Sequence, residues 1–442
     1  MRRVLMISPH FPPDATAAAH RVRLLAPHLP AFGWKPTVLA VDEHGYEGGL
    51  DRDLARLVPA DLEVIRCGAL PARWTRLAGI GDVGLRALPG LWRTSSALMT
   101  ASRFDAVFIT IYPTYPALLG PALKRRFNVP FVLDFQDPWV GSWGLTVGPG
   151  AKDSPDLKSR LSRALARRLE PIAVSAADAI TAVSDLTYED VLARTGRSRP
   201  LVCATLPVGW DARDLQAMNG AANRFYDADN GCVHLCYAGT LLPNGVGTVC
   251  AFLDAVRRLA EKEPALYRTL RLHFYGTSNQ TAGSPPPRVL PLARDRGIAD
   301  IVSETPVRIG YVDALHVLRD ATGILLMGSS ERHYTASKLY PALMARRPLL
   351  AVFHQSSSVT SILRSVGRAP SVRLVTFADG QSPPMDAIYS ELVALVRRPS
   401  LDPSAFDLRA IEPYSARMLA STLAGVLDSV AADDTNQVAR AG

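Results

Sequence analysis

Apolar residues come in short runs separated by stretches of helical spacing. Residues 3–8 form such a run; Pro9, Phe11, Pro12 and Pro13 interrupt it, and after Asp14 the apolar positions Val22, Leu25 and Leu29 recur at helical spacing. Phe32-Gly33-Trp34 closes that helix and 36–41 supplies a second run, so the chain begins with a βαβ unit and a parallel sheet. Runs at 62–67, 106–111, 130–135 and 179–183 extend the same sheet. A second series follows Pro207-Val-Gly-Trp-Asp211 and the polar segment 216–231. It has strands expected at 233–239, 270–276, 307–311, 323–327 and 349–353, and helices at 248–259, 313–320 and 337–346. The pattern predicts an α/β protein with two Rossmann-like, doubly wound domains, 1–205 and 206–415. A helix at 416–430 and a flexible tail at 431–442 complete it. At 442 residues the chain exceeds what one ordinary core organises, which agrees with that division.

Composition narrows the function classes. Hydrophobic residues make up 48% and charged residues 20%, the balance of a globular protein. No run approaches the ~18 apolar residues of a membrane span, and the short run after Arg2-Arg3 is too brief for a secretory segment, so a cytoplasmic protein is expected. Five scattered cysteines, an odd number, argue for reduced thiols. Cys232, His234 and Cys236 alternate as on a buried strand, without a second pair at zinc spacing. Asp227-Ala-Asp229 imitates a metal motif but lies among Asn and Gly and reads as a loop.

The net charge is +8, and residues 1–205 hold 25 Lys/Arg against 19 Asp/Glu, a bias suited to an acidic partner. The stretch 70–103, with Arg73, Trp74, Arg76, Arg86, Leu91, Trp92 and Arg93, reads either as a helical hairpin on its own domain or as a basic membrane-facing surface. No recognisable nucleic-acid-binding module is present. Arginine outnumbers lysine 43 to 6, and beyond residue 206 the lysines are Lys262, set between Glu261 and Glu263, and Lys338. Lys338, just after Ser337 at the expected start of a helix, is placed to meet phosphate.

Several segments, in order, resemble the GT-B glycosyltransferases of retaining family 4. They are Met6-Ile-Ser-Pro-His-Phe-Pro-Pro-Asp14 with Arg21, Leu133-Asp-Phe-Gln-Asp-Pro-Trp139, Ala177-Asp-Ala-Ile-Thr-Ala-Val-Ser184, Leu206-Pro-Val-Gly-Trp-Asp211, Tyr237-Ala-Gly-Thr240, Ser337-Lys-Leu-Tyr340 and Arg347-Pro-Leu-Leu-Ala351. The likeness spans roughly residues 1–425. It implies an N-terminal acceptor domain, a C-terminal domain for a nucleotide-sugar donor, and an interdomain cleft. Transfer to an acceptor hydroxyl would proceed with retention, without cofactor or metal, in polysaccharide, glycolipid or glycosylated-metabolite synthesis. A lipid-linked acceptor would draw the protein to the inner membrane face through 70–103.

The resemblance places Gly239, Thr240, Ser337, Lys338 and Tyr340 at the donor, with Lys338 on the diphosphate, and Asp14, Arg21 and Asp137 on the acceptor side. Asp14, or Thr16 beside it, could simply cap the helix, and Asp137 could be a turn before proline, while Arg21 would reach into the cleft. The chain departs from the family's Glu-x7-Glu pair: fixing the register on Lys338 and Tyr340 puts Pro341 at the second position and His333 at the first. Glu331 or His333 would then meet the sugar. Asn244 stands where a lysine often precedes glycine in the loop 239–245, leaving the backbone of Gly239 and Thr240 for phosphate. Two alternatives stay open: a binding or scaffold subunit that has lost chemistry, and a GT-B-like epimerase or phosphorylase.

Overall fold

Apolar runs too short for helices become the middles of two parallel sheets. The computed structural model describes residues 1–140, 157–196, 202–330, 337–399, 404 and 406–441. The first sheet contains β1 (Arg2–Ile7), β2 (Trp34–Val41), β3 (Glu63–Cys67), β4 (Ala106–Ile111), β5 (Phe131–Phe135), β6 (Ala179–Ala182) and β7 (Val202–Thr205), ordered β3-β2-β1-β4-β5-β6-β7. The second contains β8 (Val233–Ala238), β9 (Leu270–Tyr275), β10 (Val302–Thr305), β11 (Gly323–Met327), β12 (Leu349–His354) and β13 (Val372–Phe377), ordered β10-β9-β8-β11-β12-β13. All pairings within each sheet are parallel. Two doubly wound Rossmann-like domains, as the apolar runs predict, are therefore present.

Four elements differ from the expectation. The strand expected at 307–311 is absent; β10 lies earlier, at Val302–Thr305, and Tyr311 already begins the helix Tyr311–Asp320. β7 and β13 were not anticipated. β7 is half-buried throughout, and β13 carries Arg373 inside its apolar sequence, paired with Glu391 at 2.7 Å. The expected tail is also helical, since the last helix runs Ala416–Ala441. Its final part is rich in alanine and holds no glycine or proline before Gly442, so nothing stops the helix at residue 430.

Each sheet is buried on both faces, which is why its central strands read as continuous apolar runs. In the first unit, Leu5 and Ile7 share a core with Ala87 and Leu91 of the helix Val83–Ala101. Val4 and Met6, on the opposite face, pack with Leu419, Leu423 and Leu427 of the last helix, spaced four apart so that one stripe is apolar. The chain passes between the two units at Gly209–Trp210 and returns at Pro413–Tyr414. Gly209 has φ +77°, and a Cβ there would lie 2.5 Å from the Tyr414 carbonyl oxygen, so the crossing requires glycine.

The segment 70–103 is not one hairpin. The helix Val83–Ala101 buries its apolar face, and Arg86 is 3% exposed, donating to the carbonyls of Leu70 and Gly45. Trp74 and Leu77, on the short helical turns before it, are 63% and 83% exposed. The alternating Cys232, His234 and Cys236 lie at or within β8. His234 uses both ring nitrogens, Nδ1 with His273 at 2.9 Å and Nε2 with the Asn230 side chain at 2.9 Å. Burial lowers the His273 pKa to about 4, so this pair is neutral near pH 7. Asp227 accepts from the backbone N–H of Asp229, as the loop reading requires.

Candidate functional site

In open parallel sheets, ligand-binding crevices form where the strand order reverses, outside the carboxyl ends of the strands. Here the reversals lie between β1 and β4 in the first sheet and between β8 and β11 in the second. Each unit brings a cluster of polar side chains to that place.

In the second unit, β8 ends at Ala238 and Gly239 follows with φ +148°. A Cβ on Gly239 would sit 3.1 Å from Lys338 Cδ, so the missing side chain admits the lysine stem. Lys338 precedes the helix Leu339–Met344, which is shorter than the expected 337–346. Its Nζ meets the Tyr237 hydroxyl and lies 4.2 Å from that ring's centroid. Burial pushes the Lys338 pKa down to about 7, and among the described residues no carboxylate pairs with it. A half-charged ammonium without a counterion is a prepared anion site.

Other expected donor residues are placed differently. The Gly239 N–H donates to the Tyr275 carbonyl at 2.9 Å and is not available to phosphate. Tyr340 is 0% exposed, a core residue of its helix, so it does not face a ligand. Ser337 is exposed beside Lys338, and Thr240 remains at the crevice, its carbonyl accepting from the Tyr237 hydroxyl at 3.0 Å. Glu331 and His333 lie outside the described residues. One residue went unread: Arg308, from the loop after β10, reaches 3.5 Å from Thr240 Oγ1 and 3.0 Å from Asn279 Oδ1. It brings a cation to the loop where Asn244 replaces lysine. Its only sequence signal was an isolated arginine in a segment read as strand.

In the first unit, Asp14 and Asp137 follow β1 and β5. Asp14 is 1% exposed, and its carboxylate is committed to His10 Nδ1, Thr16 Oγ1 at 2.6 Å and the Thr16 N–H at 3.3 Å. Asp137 is half-buried just beyond β5; next to it the Gln136 Nε2 is buried with no partner among the described residues, and Trp139 stands edge-on to Tyr115. Arg21, expected to reach toward a ligand, is instead 2% exposed. Its Nε lies 2.9 Å from Asp134 Oδ2, and Nη1 donates to the Pro207 carbonyl at 2.9 Å. A buried guanidinium so engaged positions strands and not substrate. Burial pushes the Asp134 carboxyl up while Arg21 and Thr181 pull it down. His10, which the sequence reading passed over, is fixed by Asp14 at the reversal point; its spacing of four from Asp14 was the available signal.

Residues 16–209 match the family described as the glycosyl transferase 4-like domain. The whole chain is similar to the N-terminal domain of a trehalose-6-phosphate phosphatase from Candida albicans, with 14% identity, 97% of each chain covered and a TM-score of 0.63. It is also similar to a UDP-forming α,α-trehalose-phosphate synthase from Burkholderia xenovorans in complex with glucose-6-phosphate. There the identity is 12%, over 97% of this chain and 100% of that one, with a TM-score of 0.62. A lipopolysaccharide outer core galactosyltransferase in its apo form matches at 12% identity, over 97% and 99% of the two chains, with a TM-score of 0.51. At these identities the likeness establishes the GT-B fold. No curated protein sequence matches the chain. The first unit thus holds the His10, Asp14 and Asp137 cluster, and the second holds Lys338, Thr240 and Arg308.

Proposed function

We propose that the chain transfers a glycosyl unit from a nucleoside-diphosphate sugar to an acceptor hydroxyl. The observation that carries this reading is the Lys338 ammonium, half-buried and without a described carboxylate partner, at the strand reversal of the second sheet of a GT-B chain. As the sugar–phosphate bond breaks, negative charge grows on the departing diphosphate, and a cation already partly desolvated stabilises it more than one in water. Arg308, 3.5 Å from Thr240 Oγ1, brings a second cation to the same group, and the first unit takes the acceptor.

Retention of configuration, independence of a metal and a role in polysaccharide, glycolipid or metabolite glycosylation belong to the same proposal and follow from the family resemblance. So does work at the cytoplasmic membrane face, with exposed Trp74 and Leu77, each just after an arginine (Arg73 and Arg76), resting on lipid. The deciding experiment is titration calorimetry of nucleoside diphosphates with the wild type and Lys338→Ala. The substitution should weaken binding by about 1.5–3 kcal/mol, the range for hydrogen bonds to charged groups. Equal affinity in both proteins would remove Lys338 from the site and, with it, the transferase reading.

A further inference from the structure

Lys338 is met twice by one buried ring. Tyr237, the last residue but one of β8, is 1% exposed and packs against Phe274 of β9, with ring centroids 5.8 Å apart. Its hydroxyl donates to the Thr240 carbonyl at 3.0 Å, so the one phenolic hydrogen is spent and only lone pairs remain for Lys338. Nζ is therefore the donor to that oxygen, and the same nitrogen stands 4.2 Å from the ring centroid, within reach of the electron-rich π face.

Other cations held against rings show what is unusual here. Among the described residues, Lys124 Nζ lies 5.9 Å from the Phe131 centroid and is paired with the Asp178 carboxylate at 2.5 Å, which cancels its charge. Arg2 and Arg258, over Trp34 and Tyr389, likewise pair with Asp428 and Asp386. Lys338 has a tyrosine in place of the carboxylate. A neutral partner offsets part of the lost hydration and fixes direction, yet leaves the full positive charge to act on an anion. The stem is guided as well, since a Cβ on Gly239 would crowd its Cδ. Thr240 carries the arrangement onward, its Oγ1 lying 3.5 Å from Arg308.

We propose that Tyr237 is the positioning residue of the diphosphate site, its hydroxyl oxygen and ring face holding the Lys338 ammonium at the strand reversal without neutralising it. This rests on the transferase reading above, in which Lys338 meets the diphosphate. Both contacts favour the ammonium over the amine, because an amine offers less positive charge to the oxygen lone pair and to the π face. They thus oppose the burial that lowers the lysine's pKa, and losing one should leave the charged form harder to keep. Among the described residues Tyr237 is the one ionisable side chain bonded to Nζ, and Arg308 lies beyond Thr240 on the adjoining loop. A hydrogen bond to a charged group is worth about tenfold or more in an equilibrium, which sets the size of the effect.

The test uses the full chain and Tyr237→Phe, which keeps the ring and removes the oxygen. With lysine ¹³C-labelled at Cε, the six lysines give six resonances, and Lys338→Ala assigns the one that matters. The titration midpoint of Lys338 should fall by about one pH unit in Tyr237→Phe. The other five lysines should titrate as in the wild type, which also reports that the variant is folded. Calorimetry with UDP, GDP, ADP and dTDP finds the nucleoside diphosphate bound most tightly, whose own ionisation is common to both proteins. Tyr237→Phe should bind it about ninefold more weakly at pH 8 but only about twofold more weakly at pH 6, where about half or more of either protein carries the ammonium. A tyrosine that merely fills the core would change stability and leave the lysine's titration where it was. An unmoved Lys338 midpoint, or equal affinities at pH 8, overturns the assignment and leaves the transferase reading standing. A wild type that binds none of the four nucleotides, or a Lys338→Ala variant that binds as the wild type does, overturns both.

Discussion

Binding of a nucleoside diphosphate should draw a proton from solution. With the Lys338 pKa lowered to about 7 by burial, half of the free protein carries the ammonium at pH 7, about a tenth at pH 8 and about a hundredth at pH 9. A bound diphosphate favours the charged form and returns the pKa toward the ordinary lysine value of about 10.4, so only the protonated fraction binds well. Affinity should therefore fall about fiftyfold between pH 7 and 9, about 2.3 kcal/mol. The nucleotide's own second ionisation, near pH 6, is nearly complete above pH 7 and contributes little. Calorimetry in two buffers of different ionisation enthalpy measures the proton count directly, about half a proton taken up at pH 7 and nearly one at pH 9. Lys338→Arg, always charged, should bind with no pH dependence over this range. A constant wild-type Kd from pH 7 to 9 with no proton uptake would refute the reasoning, because it would mean the ammonium is fully charged before the ligand arrives.

The buried pair of Arg21 and Asp134 gives a second expectation: Arg21→Met or Asp134→Leu alone should cost about 3–5 kcal/mol by urea unfolding, and the double variant should recover most of it. Simple additivity of the two losses would show that the ions do not act as a pair. At the exposed turn before residue 83, Trp74→Ser with Leu77→Ser should lower partitioning onto anionic vesicles at least tenfold, since burying each side chain in lipid is worth about 1.5–3 kcal/mol. Wild-type binding that is equal on neutral vesicles, or absent on both, would count against membrane docking there.

The two sheets were legible because parallel strands buried on both faces leave continuous apolar runs, as at β1, β4 and β11. Where burial is partial the signal fades: β7 is half-exposed at every position, and in β10 the buried Val302 is followed by three polar residues. Lys338 was legible through scarcity, one of two lysines in its half of the chain. Arg21 misled because its partner, Asp134, comes from a distant strand, and a buried ion pair leaves no local mark. Arg308 was missed for a related reason: what distinguishes it is nearness to Thr240, a property of three dimensions.

The last helix has a consequence for how the protein is made. One face of the first sheet is closed by Leu419, Leu423 and Leu427, which leave the ribosome long after Val4 and Met6. Until they arrive, that face is an open apolar surface on an otherwise finished sheet, and the second unit must be threaded out in between. Synthesis usually lets an N-terminal domain fold first; here the first half waits for the last residues, and it is exposed to aggregation or chaperone capture for the whole interval. An expression clone stopped near residue 209 would be expected to yield insoluble protein, and adding the 416–441 peptide in trans should restore solubility.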